Sequence, residues 1–141
     1  MTHNRTRAES IQAGLDVRRD VLGADYVARA IDATTDFTAP IQELVNEYCW
    51  GNVWAREGLA RRERSLINLA MMTALNREHE LAVHVRGALR NGVSVGEIQE
   101  VLMQTAIYVG IPAALESFRI AAEAIRAYEE ELAADGDSQG S

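Results

Sequence analysis

The side chains of this chain best suited to chemistry gather between Arg77 and Gly92. On a helix, Arg77, Glu80, His84 and Ala88 fall on nearly one stripe. A carboxylate one turn from an imidazole can hold its tautomer and raise its pKa, and such a histidine can serve as general acid or base near neutral pH. Spacing alone equally describes an exposed i,i+4 pair, worth about 0.3 kcal/mol. Two features favour a site. Gly87 and Ala88 are small residues just beyond the histidine, so this face can pack closely or leave room for a ligand. Arg64, Arg77 and Arg86 also place positive charge around it. Trp50 and Trp54 form a second constellation, an i,i+4 aromatic pair beside Tyr48 and Cys49. Core packing is the plain reading of such a pair. Cys49, the single cysteine, reads as a buried small hydrophobe.

Three other patterns do not survive inspection. Gly136-Asp137-Ser138-Gln139-Gly140 spells the nucleophile-elbow motif, but it lies in a tail rather than on a strand-to-helix turn. Asn4-Arg5-Thr6 is a glycosylation sequon with no sign of secretion around it. His79-Glu80 begins like a zinc-protease helix, but the next histidine, His84, stands at i+5. That offset turns the two imidazoles roughly 140° apart, so they cannot share one zinc from a regular helix. No metal site is expected.

The elements that must position these residues read as helices throughout. A first runs from about Ala8 to Leu22 and ends at Gly23, and a second from about Ala24 to Ala33. Pro40 suits the first turn of a third, which is expected to falter at Gly51. Arg56-Glu57-Gly58 reads as a linker. A fourth helix starts near Ala60 and ends near Asn76, and a fifth runs from about Arg77 to Asn91 with Gly92 at C′. Ser94 and Glu97 form a capping box for a sixth, whose apolar stripe is Ile98, Val101, Leu102, Thr105 and Ile107 or Tyr108. Gly110 and Pro112 break the chain before a last helix, about Ala113 to Leu132. The expected organisation is one all-α domain over 1–132 and a disordered tail over 133–141.

Composition bounds the function. The chain has 141 residues, 48% hydrophobic and 25% charged, enough to bury a core. One cysteine permits neither an internal disulfide nor a CxxC redox pair. All 14 basic residues are arginine, set against 21 acids. Residues 56–90 form a basic island of +3, between −3 over residues 1–55 and −7 over residues 91–141. An acidic protein with one small basic island is not built for nucleic acid, but the island could meet a small anion. No apolar run approaches the roughly 20 residues of a membrane span, and the start MTHNRTRAES lacks a signal peptide's apolar stretch. A cytoplasmic protein without membrane partners is expected.

The strings DVRRDVLGADYV (16–27), PIQELVNEYCWGNVWAREGL (40–59) and RRERSLINLAMMTALNREHELAVHVRGALRNGVSVGEIQEVLMQTAIYVGIPAALESFRIA (61–121) strongly resemble the 4-carboxymuconolactone decarboxylase family. The resemblance covers nearly the whole chain, from about Gly14 to Glu123. It implies an AhpD-like helical bundle of about six to seven helices, assembled as a homo-oligomer, a hexamer or trimer. AhpD-like peroxidases carry a CxxC pair, then a histidine, then a glycine eight residues on. His84 and Gly92 keep that spacing, but Arg77 and Glu80 fill the cysteine positions. Thiol chemistry needs thiolates, so the departure favours the decarboxylase branch.

The implied activity is cofactor-independent loss of CO2 from 4-carboxymuconolactone, giving 3-oxoadipate enol-lactone in the protocatechuate branch of the β-ketoadipate pathway. The partner would be this dicarboxylate lactone, whose ring takes up the electrons. His84 would give the proton, with Glu80 orienting it and His79 the second candidate. Arg77 and Arg86, then Arg64, would hold carboxylates. Trp50 and Trp54 would wall off water from the leaving group. The rival readings are an AhpD-like thiol peroxidase and a non-catalytic oligomeric paralogue.

Overall fold

The computed structural model describes residues 4–140. Met1–His3, at the polar start, and Ser141, the end of the expected tail, lie outside the described residues. Among those described there is no strand. Seven α-helices and one π-helix follow one another: α1 Arg7–Leu22, α2 Ala24–Asp32, α3 Ala39–Leu44, the π-helix Val45–Trp54, α4 Arg61–Ala74, α5 Glu78–Arg90, α6 Val95–Tyr108 and α7 Ile111–Ser138. The chain divides into two compact units, the first ending at Arg61 and the second beginning at Arg62.

In the first unit α1 starts on a capping box. The Thr6 side chain accepts from the Glu9 amide, and the Glu9 carboxylate accepts from the Thr6 amide at 2.7 Å. The third helix does not falter at Gly51 as the sequence suggests. After Leu44 it widens into the π-helix and runs through to Trp54, closed by an i→i+5 bond from the Ala55 amide to the Trp50 carbonyl at 3.1 Å. Gly51 serves close approach instead of a break. A Cβ on Gly14 of α1 would collide with the Asn46 carbonyl and stand 2.8 Å from the Gly51 amide nitrogen, and one on Gly51 would strike the Ser10 carbonyl. Only glycine at both positions lets the two backbones touch. The exposed side chain of Arg7 ties α1 to the same partner, reaching Glu43 and Glu47 at 2.9 Å each.

The second unit is organised by an apolar core. Leu69, Leu81, Val85, Ile98, Leu102 and Ile120 are buried together, with Ala88, Ala121 and Ala124 filling between them. Each large side chain removed from water contributes about 1.5–3 kcal/mol. Two helix ends are closed alike. The Asn76 amide bonds to the Thr73 carbonyl at 3.3 Å and the Arg77 amide to the Met72 carbonyl at 3.0 Å, with Asn76 at φ 55°. The Gly92 amide bonds to the Leu89 carbonyl and the Val93 amide to the Ala88 carbonyl, with Gly92 at φ 85°. Both are Schellman ends with a left-handed residue at C′. The Ser94–Glu97 capping box of α6 forms as the sequence predicts.

Three features differ from the sequence expectation. Ile107 and Tyr108 do not join the α6 stripe: they are 78% and 83% exposed in its last turn. The last helix begins at Ile111 with Pro112 inside its first turn, where a missing N–H costs nothing. It then runs to Ser138, six residues beyond Leu132, through a stretch that is exposed along its length.

Candidate active site

The Schellman end of α4 decides where Arg77 stands. Arg77 is the residue after the left-handed Asn76 and also the N-cap of α5. It therefore enters α5 from a non-helical conformation (φ −95°, ψ 79°) rather than riding on the helix. Arg77, His79 and Glu80 are all exposed in the first turn region. A cavity of about 20 Å³ lies against Arg77, between Asn76, Leu81 and Glu116. It has room for a single water and no more.

His84 is different. One turn further along α5 it is half-buried, and Asn68 of α4 reaches it, with Nδ2 3.4 Å from the imidazole Nδ1. The amide nitrogen is a donor, so Nδ1 accepts and Nε2 carries the hydrogen of the neutral ring. Burial pushes the His84 pKa below its ordinary value, and the charge of Glu80 only partly restores it. The sequence reading allowed the carboxylate to raise this pKa. In the structure burial outweighs it, because Glu80 sits in water while the imidazole has lost much of its own. His84 is thus neutral at pH 7.

The arginines separate by environment. Arg86 is committed to an ion pair with Glu131 of α7. Arg64 lies one helical turn before Asn68 on α4 and is partly buried, so it shares the face of α4 that meets His84. Asn91 donates to Ser65 at 2.9 Å, a second polar link between the α4 face and the end of α5. Sequence reasoning does not single out Asn68. Its only signal is a polar residue one turn from Arg64 in an otherwise apolar run.

Trp50 and Trp54 lie in the first unit, both buried, with ring centroids 4.9 Å apart and planes 32° from parallel. Both therefore pack in the core, the pair adding about 1 kcal/mol beyond area burial. Cys49 corrects the expectation of a buried thiol: the residue is exposed. Protein atoms around the sulfur still push its pKa up, which keeps it a thiol at neutral pH.

The second unit also holds an apolar cavity of about 490 Å³ between α4 and α6, walled by Leu66, Ala70, Met71, Val101, Thr105 and Tyr108. None of the nominated residues lines it. No group of three or more metal-binding side chains occurs among the described residues, and no helix of the described residues is long and apolar enough to cross a membrane.

In this all-helical protein the half-buried His84 imidazole, Asn68 beside it and Arg64 one turn before Asn68 on α4 form the candidate site. The carboxymuconolactone decarboxylase family model matches residues 39–123, and the chain belongs to that family. It is 40% identical over 124 residues to nitrosuccinic acid decarboxylase npaB of Metarhizium robertsii, covering 88% of this chain and 87% of that protein. It is 38% identical over 113 residues to the 4-carboxymuconolactone decarboxylase of Acinetobacter baylyi, covering 80% of this chain and 84% of that one.

Proposed function

We propose that this protein is a decarboxylase of small dicarboxylic acids that carry their own electron sink, with 4-carboxymuconolactone as the substrate. The observation that carries the reading is the half-buried His84, neutral and held by Asn68, in a chain similar over most of its length to two decarboxylases. When CO2 leaves the lactone, its bonding electrons pass through the ring double bond to the lactone carbonyl. The ring holds the charge, so no cofactor is needed. The dienolate oxygen requires a donor, and the ring carbon α to that carbonyl then requires a proton. The Nε2–H of neutral His84 supplies the hydrogen bond as charge develops; to hand a proton to carbon His84 would first take one up to become imidazolium, and it would return to the neutral ring as the proton leaves. The exposed His79 is the second candidate for that proton transfer. Arg77 and Arg64 are the first candidates to hold carboxylates; Arg86 pairs with Glu131 and would have to leave it.

The similarity to a nitrosuccinic acid decarboxylase favours a second substrate of the same logic. Loss of CO2 from the nitro-bearing carbon of nitrosuccinate sends the electrons into the nitro group. The resulting nitronate again needs a hydrogen-bond donor and a proton on carbon. Chelator-treated protein given each acid separately decides between them. CO2 release from the lactone at the higher kcat/KM is the expected result. A higher value for nitrosuccinate transfers the assignment, and turnover of neither ends it. His84→Ala should lower the preferred turnover by about 100-fold, or about 2.7 kcal/mol. Undiminished turnover in that variant would move the donor role to His79.

A further inference from the structure

Arg18 is the one arginine of α1 that the fold buries, with 7% of its surface exposed. Its guanidinium is held on one side only. Nη1 donates to Gln42 Oε1 of α3 and to Asn46 Oδ1 of the π-helix, each at 3.0 Å. Both acceptors are neutral amides. Nε is buried and donates to nothing. Nη2 has no hydrogen-bond partner either, but unlike Nε it is not sealed from solvent. Arg18 forms no ion pair among the described residues. The Tyr26 hydroxyl and the Cys49 thiol stand near enough to feel its charge.

Two arginines of the same helix make the point. Exposed Arg7 places its Nε and Nη2 on the carboxylates of Glu47 and Glu43. On buried Arg18 the same edge makes no hydrogen bond among the described residues: Nη2 is open to solvent and Nε lies beside it, closed off from water. That edge matches the two oxygens of a carboxylate. A guanidinium taken out of water without a counter-ion is costly, and it is retained where an anion completes it. The two amides fix Nη1, so the remaining edge is oriented in advance.

We propose that Arg18 is a carboxylate-binding residue, whose Nε–Nη2 edge takes one carboxylate of a small dicarboxylate acid. Carboxylate binding at this edge does not depend on the function proposed above. Gln42 and Asn46 are then positioning residues, acting through Nη1.

Succinate, a dicarboxylate with no leaving group activated for loss, serves as the probe. Titrated into wild-type protein, it should move the Arg18 Nε–H resonance in a 15N-correlated spectrum. Arg18→Gln and Arg18→Lys should each weaken succinate binding at least tenfold by calorimetry, since lysine keeps the charge but loses the fork. The wild-type resonance keeps the test intact if either variant fails to fold. An Arg18 resonance indifferent to saturating succinate overturns the proposal. So does equal succinate affinity in the variants, or a change of assembly state in Arg18→Gln with succinate binding untouched, which would make the counter-ion a carboxylate of another copy. Succinate held at Arg18 by a protein that decarboxylates neither acid would overturn the function and leave this site standing.

Discussion

The two units of this chain hold their polar groups by opposite means. In the first, backbone meets backbone where Gly14 and Gly51 leave no side chain between α1 and the π-helix. The contact so made sets Asn46 against Arg18, one turn beyond Gly14. In the second, side chains interlock. Leu69, Leu81 and Val85 form a core with Ile98, Leu102 and Ile120, and His84 rides at the margin of that core with Asn68 beside it. A guanidinium needs a rigid frame because its fork is directional. An imidazole needs a partly dry wall because its proton affinity is set by burial. Each unit supplies what its own charged or titratable group requires.

Substitutions aimed at each unit should separate these two modes. Both tryptophans lie in the first unit, so their fluorescence reports its unfolding directly. The largest effect is expected for Gly14→Ala, where the new methyl meets backbone that cannot move aside. Stability by denaturant titration should fall by about 3 kcal/mol or more, with early tryptophan exposure. A neutral Gly14→Ala would mean that the close contact of α1 and the π-helix is not what holds that unit. Leu81→Ala should cost about 3 kcal/mol through lost burial and a residual cavity, read from helical circular dichroism. A loss below about 1 kcal/mol would show the second core to be loosely packed.

The pH response tests the dry wall around His84. Its folded pKa lies below the ordinary 6.5. As pH falls through about 6.5 the unfolded chain takes up this proton while the folded one resists, so folding loses stability from there down to the folded pKa and is unaffected above. Melting temperatures should therefore fall less between pH 7.5 and 5.5 in His84→Gln than in wild type. Identical falls would mean that burial does not set this pKa. The smallest effect is expected for Ser94→Ala, which removes the α6 cap at about 1 kcal/mol. A shift in melting temperature checks it.

Much of the fold was legible because its signals are local. The capping box at Ser94, the left-handed Gly92 and the end of α4 at Asn76 are each written within a few residues, and each stands where the sequence puts it. The π-helix was not legible. Its extra residue per turn follows from the need to bring Gly51 and Asn46 against Gly14 and Ser10, some 35 positions back in the chain. The length of α7 was also missed, because Gly136 and the polar residues around it have weak local preference and the helix simply continues through them.

Of the candidate site, the sequence pointed to His84 and its helix but offered only the upward influence on its pKa, where burial lowers it. Glu80 is visible four residues away, whereas the depth of burial is not. It offered Arg86 to a ligand, which Glu131 occupies from 45 positions further on. It passed over Arg18, since an arginine inside an amphipathic helix looks like any other until its neighbours are known. Residue type and spacing determined the helices, their ends and the chemical groups available, because those depend on bonds within one or two turns. Which of those groups are dry, which are paired and which remain open was decided only when distant segments came together, because desolvation and pairing depend on atoms that the chain order does not place side by side.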